Sequence, residues 1–490
     1  MTPEVRWARV TDEQRESRAA RRWSALAYAC GIASALVVAY FVAHVPVQVS
    51  DSLGNMLEIQ HDTYRRLFVT QFLAHGYMRP LLWIQIKMAF DLAFGHYWLM
   101  FKTIHAVQLV LTALLFVRLL GVRTRSDFAV VPLALAVLFG VHTFTGTVSE
   151  AFPINGYLTM VICALAGANL SISRPRWTID VAAALLLVLA LLTVESGLLV
   201  VVAVVAGWLA GLRGVSKWGV LACVAITAGY FYLRFGPLGV GAPGLIERSS
   251  GYGLGMLDPP ELIARFGARP YLFYAYNVAC SMATVLFSEP RAGVWLLAKR
   301  IITHDDVPPW LAINIVSSVL TTVLVVWCSA RGLRRWWSDR ATGNDRVAFV
   351  AAGVMVANAV LSYPYTKDVI MSVGGVFFAV LVYVAVRDLT AGALDFGLPA
   401  KVWSLLVVAA LSAGWAVRAA GLPVRLLQYA SLTRNDWATV YAWLDGQHID
   451  VSRPDARALV EQLRSDALAA DPLQVTVIEP PPYFRYFDPQ

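Results

Sequence analysis

TIDVAAALLLVLALLTVESGLLVVVAVVAGWLAGL, residues 178–212, holds only two ionisable side chains, Asp180 near its start and Glu195 at its centre. A run this apolar satisfies its backbone amides in hydrocarbon only as helix. Arg174 and Arg176 precede it, and Arg213 and Lys217 follow it. The stretch therefore reads as two adjacent spans, 178–194 and 196–212, with cations at one end of the pair and Glu195 in a tight apolar turn at the other. A carboxylate in that turn must reach water or a hydrogen-bonding partner.

The same pattern extends along the chain. Its 490 residues are 58% hydrophobic and 15% charged, with a mean hydropathy of +0.60. Soluble proteins run at about 45–50% and about 25%. These values exclude a soluble enzyme, a secreted disulfide scaffold and a disordered regulator. Apolar runs predict eleven helices, at about 23–46, 97–120, 127–146, 155–172, 178–194, 196–212, 218–235, 309–330, 347–362, 368–386 and 402–417. The fold class is an all-α polytopic membrane protein of the plasma (inner) membrane. The tail 1–22 is basic (Arg6, Arg9, Arg15, Arg18, Arg21, Arg22), and the run after it is too long for a signal-peptide core and reads as an anchor.

With a cytoplasmic N-terminus, the inner loops carry Arg118, Arg123 and Arg125; Arg174 and Arg176; Arg213 and Lys217; Arg331, Arg334, Arg335, Arg340 and Arg346; and Arg387 and Lys401. The outer turns carry little beyond Lys367. This alternation accounts for the formal charge of +8 as topology, without a nucleic-acid partner. The five cysteines (Cys30, Cys163, Cys223, Cys280, Cys328) have neither disulfide-framework nor zinc spacing and read as small core hydrophobes.

Two long segments fall outside by this count. Residues 47–96 have helical periodicity suited to amphipathic helices on the outer interface. Residues 236–308 open with GPLGVGAPGL and GYGLGM, which follow no strand and precede no GK[ST], so a loop is expected rather than a phosphate cradle. An interfacial helix pair with Arg265, Arg269, Lys299 and Arg300 should follow. After 418 the composition turns polar, and 418–490 reads as a small extracytoplasmic α/β domain: a helix in NDWATVYAWL, another in SRPDARALVEQLRSDAL, and a strand in LQVTVIE.

Ionisable groups at membrane depth are functional candidates because they are costly. Asp51 lies just beyond the first span, where a carboxylate either takes a proton from a hydroxyl or caps a helix. His61 and Asp62 form a polar pair in the same loop. Arg79, Arg234 and Arg269 are outer arginines, suited to phosphate or to snorkelling. Asp305 and Asp306 bind a divalent cation or cap the next helix. His105, His142, Glu150 and Glu195 complete the candidates.

Several of these residues stand in a recognisable order. Asp51 follows the first helix; RPLLWIQIKMAFDLAFG (79–95) leads into HYWLMFKTIHAVQLVLTALLF (96–116); LFGVH (138–142) ends the third run; and LALLTVESGLLV (189–200) forms the central turn. Together they resemble the C-type glycosyltransferase (GT-C) superfamily, nearest the bacterial protein O-mannosyltransferase-like membrane proteins. The likeness covers roughly the first 215 residues. Arg79, Pro80, Leu81 and Glu195 match the family pattern, whereas Val194 replaces a common lysine, Ser52 an acidic residue, Thr143 a proline and His105 an asparagine.

The resemblance implies an inverting hexosyl- or pentosyltransferase of the cell envelope that uses a polyprenyl-phosphate-linked sugar. In that reading Asp51 is the general base toward a hydroxyl acceptor on a protein, glycan or lipid, and Arg79, Arg234 and Arg269 hold the donor phosphate. His61, Asp62, His105, His142, Glu150 and Glu195 are then acceptor or cavity residues. A transporter or flippase of lipid-linked or small polar substrates is the alternative, and a scaffold with an exported partner-binding domain is a third.

Overall fold

The computed structural model describes residues 3–73, 78–149, 154–237, 249–252, 254–393 and 398–469. Each of the eleven apolar runs forms helix. Among the described residues seven helices are long and apolar enough to cross a membrane: Ser17–Ala43, Tyr97–Leu120, Lys217–Phe235, Pro309–Trp337, Gly343–Leu361, Asp368–Ala391 and Val402–Ala438. An eighth arises if Arg125–Gly140 and His142–Val148, bent by 55° at Val141, are one span.

The remaining runs are shorter than expected. Gly156–Ser171, Trp177–Leu191 and Leu198–Leu209 have 16, 15 and 12 residues. At about 1.5 Å per residue the longest reaches ~24 Å, short of about 30 Å of hydrocarbon. Hydropathy overestimates helix length here because the turns Leu192–Val194 and Ala210–Leu212 are themselves mostly apolar. Gly197 keeps the central turn tight: a Cβ there would overlap the Ala190 carbonyl.

Ser372–Ala393 is the axis of the bundle. Its VFFAVLVYVAV is apolar all round, as a helix enclosed on every side must be, and 94% of its apolar window is buried, against 22% for the peripheral Lys217–Phe235. It packs on Arg125–Gly140, Pro309–Trp337 and Gly343–Leu361. At the arginine-rich end these four helices are also tied by charge. Arg335 meets Asp345 (Nε to Oδ2, 2.9 Å) and Asp388 (3.3 Å), while Arg387 meets Asp127 at 2.7 Å. Asp127 and Asp345 each close a capping box, with Thr124 and Thr342, so one carboxylate both starts a helix and holds a neighbour.

The segment 236–308 is not purely interfacial. Tyr271–Phe287 lies within it and packs into the bundle, burying Phe273, Asn277, Ser281, Thr284 and Val285. Most of the glycine-rich stretch, 238–248, lies outside the described residues. Among those described, the only strands are Ser249–Gly251 and Gly255–Leu257, an antiparallel hairpin.

No break falls at 418. One helix, Leu398–Ala438, runs through the change in composition, and Val440–Gly446 and Pro454–Ala469 follow it. NDWATVYAWL is therefore divided between two helices, and the expected strand LQVTVIE lies outside the described residues. These C-terminal helices share a second hydrophobic core with Asp51–Ile59, Tyr64–Leu73 and Pro80–Leu92. Trp437 sits at its centre, fully buried, with its indole N–H donating to the Val47 carbonyl at 2.6 Å. His61 pairs with Asp455, and Gln462 donates to the Gly95 carbonyl. Trp437→Ala should cost this core about 3–5 kcal/mol, the usual penalty for emptying a large aromatic site. The expected readout is accelerated proteolysis after residue 438 with the spanning helices still protected.

Candidate functional site

Glu195, Arg79 and Arg234 converge at the end of the bundle opposite the arginine-rich loops. Pro80 starts its helix at the first turn, where its missing N–H costs nothing, and so leaves Arg79 at the helix entrance. The Leu81 amide donates to the Leu192 carbonyl at 2.9 Å, docking that entrance beside the central turn. Glu195 opens the short 3₁₀ turn Glu195–Gly197, and Arg234 lies in the last turn of Lys217–Phe235.

Arg79 donates from Nε (2.9 Å) and Nη2 (2.6 Å) to Glu195 Oε2. Arg234 Nη2 reaches Oε1 at 3.4 Å, and its Nη1 donates to the Tyr230 hydroxyl. Side-chain exposure is 31% for Arg79, 23% for Glu195 and 2% for Arg234. Arg79 thus faces accessible space while Arg234 is enclosed.

An apolar groove of about 620 Å³ lies between Leu198–Leu209, Lys217–Phe235 and Gly343–Leu361. Leu198, Val201, Phe231, Phe349, Val356 and Val360 are among its walls. Leu198 follows the turn that carries Glu195, and Phe231 lies three residues, about one helical turn, before Arg234.

A second polar group stands at the same end. His142 begins a helix after the bend at Val141, and Asp368 begins the turn that leads into the axial helix. His142 Nε2 lies 2.8 Å from Asp368 Oδ2, the Tyr252 hydroxyl donates to Oδ1 at 2.6 Å, and Arg291 approaches at 3.4 Å. Burial, and then the Asp368 charge, push the Tyr252 phenol far above its ordinary range, so it remains a donor. Asn277 fastens the adjoining hairpin by donating to the Ser250 and Tyr363 carbonyls.

The other sequence candidates are dispersed. Asp51 opens the helix Asp51–Ile59; its side chain, like Glu150, lies outside the described part of the chain. Asp62 pairs with Arg66 at 3.2 Å, a local helix-start contact. His105 is buried on Tyr97–Leu120. The exposed side chain of Arg269 makes no ion pair among the described residues and does not join Arg79 and Arg234. Asp305 accepts from the Thr303 hydroxyl at 2.6 Å, and the Asp306 carbonyl accepts from Arg300 at 2.7 Å. Among the described residues no three His, Cys, Asp or Glu side chains gather as metal ligands.

Sequence reasoning passed over Asp368, Tyr252, Arg291 and Arg418. Arg418 had a visible signal, a single cation in AGWAVRAAGL. Its guanidinium donates to Ser317, Ser318, Ser288 and the Gly140 carbonyl, and lies 3.9 Å from the Trp415 ring centre.

Fold and site together define a predominantly helical chain with membrane-length apolar helices and a charged cluster at one end of the bundle. Compared with known protein families, curated proteins and solved structures, it matches none.

Removing Glu195 sets two guanidinium groups against each other, one of them enclosed. Glu195→Ala should destabilise the protein by about 3–5 kcal/mol, as expected when one partner of a buried pair is lost. Arg79→Ala should cost less because that side chain is 31% exposed. Thermal unfolding in detergent checks both.

Proposed function

We propose that this chain is an integral-membrane glycosyltransferase that moves a sugar from a polyprenyl-phosphate donor to a hydroxyl acceptor. In this reading the eleven apolar helices sit in the inner membrane with the N-terminus cytoplasmic. The reaction end, and the helices after 438, are extracytoplasmic. The observation that carries the reading is the pair of guanidinium groups, Arg79 and Arg234, gathered on Glu195: their charge suits a phosphate, and the apolar groove along the helices that begin at Leu198 and end at Phe235 suits an isoprenoid chain. Guanidinium groups that hold a carboxylate have the donor geometry for phosphate oxygens.

The chemistry assigned to these residues is an in-line displacement. The acceptor oxygen forms a bond to the anomeric carbon as the carbon–oxygen bond to phosphate breaks, inverting the centre. The acceptor proton goes to Asp51, and the departing electron pair stays on the polyprenyl phosphate, where Arg79 and Arg234 stabilise the charge. Glu195 keeps the two guanidinium groups oriented between turnovers.

One observation favours a second reading. The 55° bend between Arg125–Gly140 and His142–Val148 resembles the broken helices of transporters of lipid-linked or small polar substrates. Proteoliposomes separate the two, with sugar transfer from a polyprenyl-phosphate donor in one assay and substrate flux in the other. Asp51→Asn should lower transfer by about 10²–10⁴-fold, the range for losing a general base, while the protein stays monodisperse. Full transfer by that variant removes Asp51 from the mechanism, and flux without transfer replaces the enzyme reading with the transporter.

A further inference from the structure

Among the described residues the interior holds several cations outside the Arg79 cluster, and all but one have their bonds. Lys87, 7% exposed, meets Asp91 at 2.7 Å, and Asp91 also accepts from the Tyr64 hydroxyl. Arg418 has serine hydroxyls, a carbonyl and an indole face, which makes it a clamp between helices. Lys102 differs. It is as buried as Lys87, at 7% exposed, and has no hydrogen bond or ion pair among the described residues.

A buried ammonium without a partner costs several kcal/mol by order of magnitude. It has no packing advantage over a methionine of similar shape. Lys102 keeps 7% of its surface exposed, against 2% for His105 one turn further along. Lys102 is the sixth residue of Tyr97–Leu120, about 7–8 Å from the start of that helix. That start is joined to Pro80–Leu92 by the short turn 93–96, and Asp51–Ile59 packs on Pro80–Leu92. The ammonium therefore lies at the end of the bundle that carries Asp51 and Arg79.

We infer that Lys102 is an anion-binding residue whose ammonium takes an oxygen of a phosphate group bound at this end of the bundle. The ligand supplies the charge that the fold withholds, so the cost in the empty protein is recovered on binding. The inference rests on the proposed transferase only in taking that phosphate to be lipid-borne.

The test uses the full chain in nanodiscs, with farnesyl phosphate, inorganic phosphate and pyrophosphate as probes. Lys102→Met should raise the unfolding temperature of the unliganded protein by a few degrees, which removal of a structural lysine would not do. It should also weaken farnesyl phosphate binding by about ten- to a hundredfold, the scale of one charge-assisted contact. Lys102→Arg should retain most of the affinity. Dependence on Lys102 for phosphate or pyrophosphate alone, with no binding of farnesyl phosphate, upholds the anion site and removes the lipid-donor reading. Unchanged affinity for every probe in Lys102→Met, or no binding of any probe by the unaltered protein, overturns the inference.

Discussion

A single carboxylate organises one end of this bundle. Glu195 sits where two short helices meet, and its oxygens reach the entrance of Pro80–Leu92 and the end of Lys217–Phe235. Apolar packing is non-directional, so on its own it would leave those elements free to slide and rotate against one another. Ion pairs with defined donor geometry fix the register. The opposite end follows the same logic, with Asp127, Asp345 and Asp388 each tying an arginine to a helix of the core.

The helices were legible in the sequence because a chain in hydrocarbon has only one common way to satisfy its backbone. Their ends were less so. Leu192, Thr193 and Val194 read as span and fold as turn, since hydropathy does not distinguish a helical leucine from a turn leucine. The boundary at 418 misled for the opposite reason. Charge appears there, but Leu411, Trp415, Leu422, Leu426, Ala430 and Trp437 stay buried at helical spacing, and one buried stripe suffices to continue a helix. Tyr271–Phe287 escaped notice because Tyr, Asn, Ser and Thr dilute its hydropathy, although Asn277 and Thr284 spend their polar groups on neighbouring backbone.

Of the site, Arg79, Glu195 and Arg234 could be named individually, but not their meeting, which depends on contacts 116 and 39 residues apart. Asp368 looked like an ordinary residue at the start of a span. Its environment comes from Tyr252 and His142, on elements remote in sequence. Lys102 falls unremarked inside the apolar run 97–120; only packing reveals that it is enclosed.

The helix Leu398–Ala438 has 41 residues and so spans about 60 Å, twice the hydrocarbon thickness. Its lower part lies against the axial helix and its last turn holds Trp437 against Val47. One continuous helix, with Pro423 inside it, therefore works as both ruler and protractor. Each residue between those two anchorages contributes about 1.5 Å of height and about 100° of azimuth. Evolution can exchange side chains on the outward face of this helix freely, but it cannot add or remove one without turning Trp437 away from its seat.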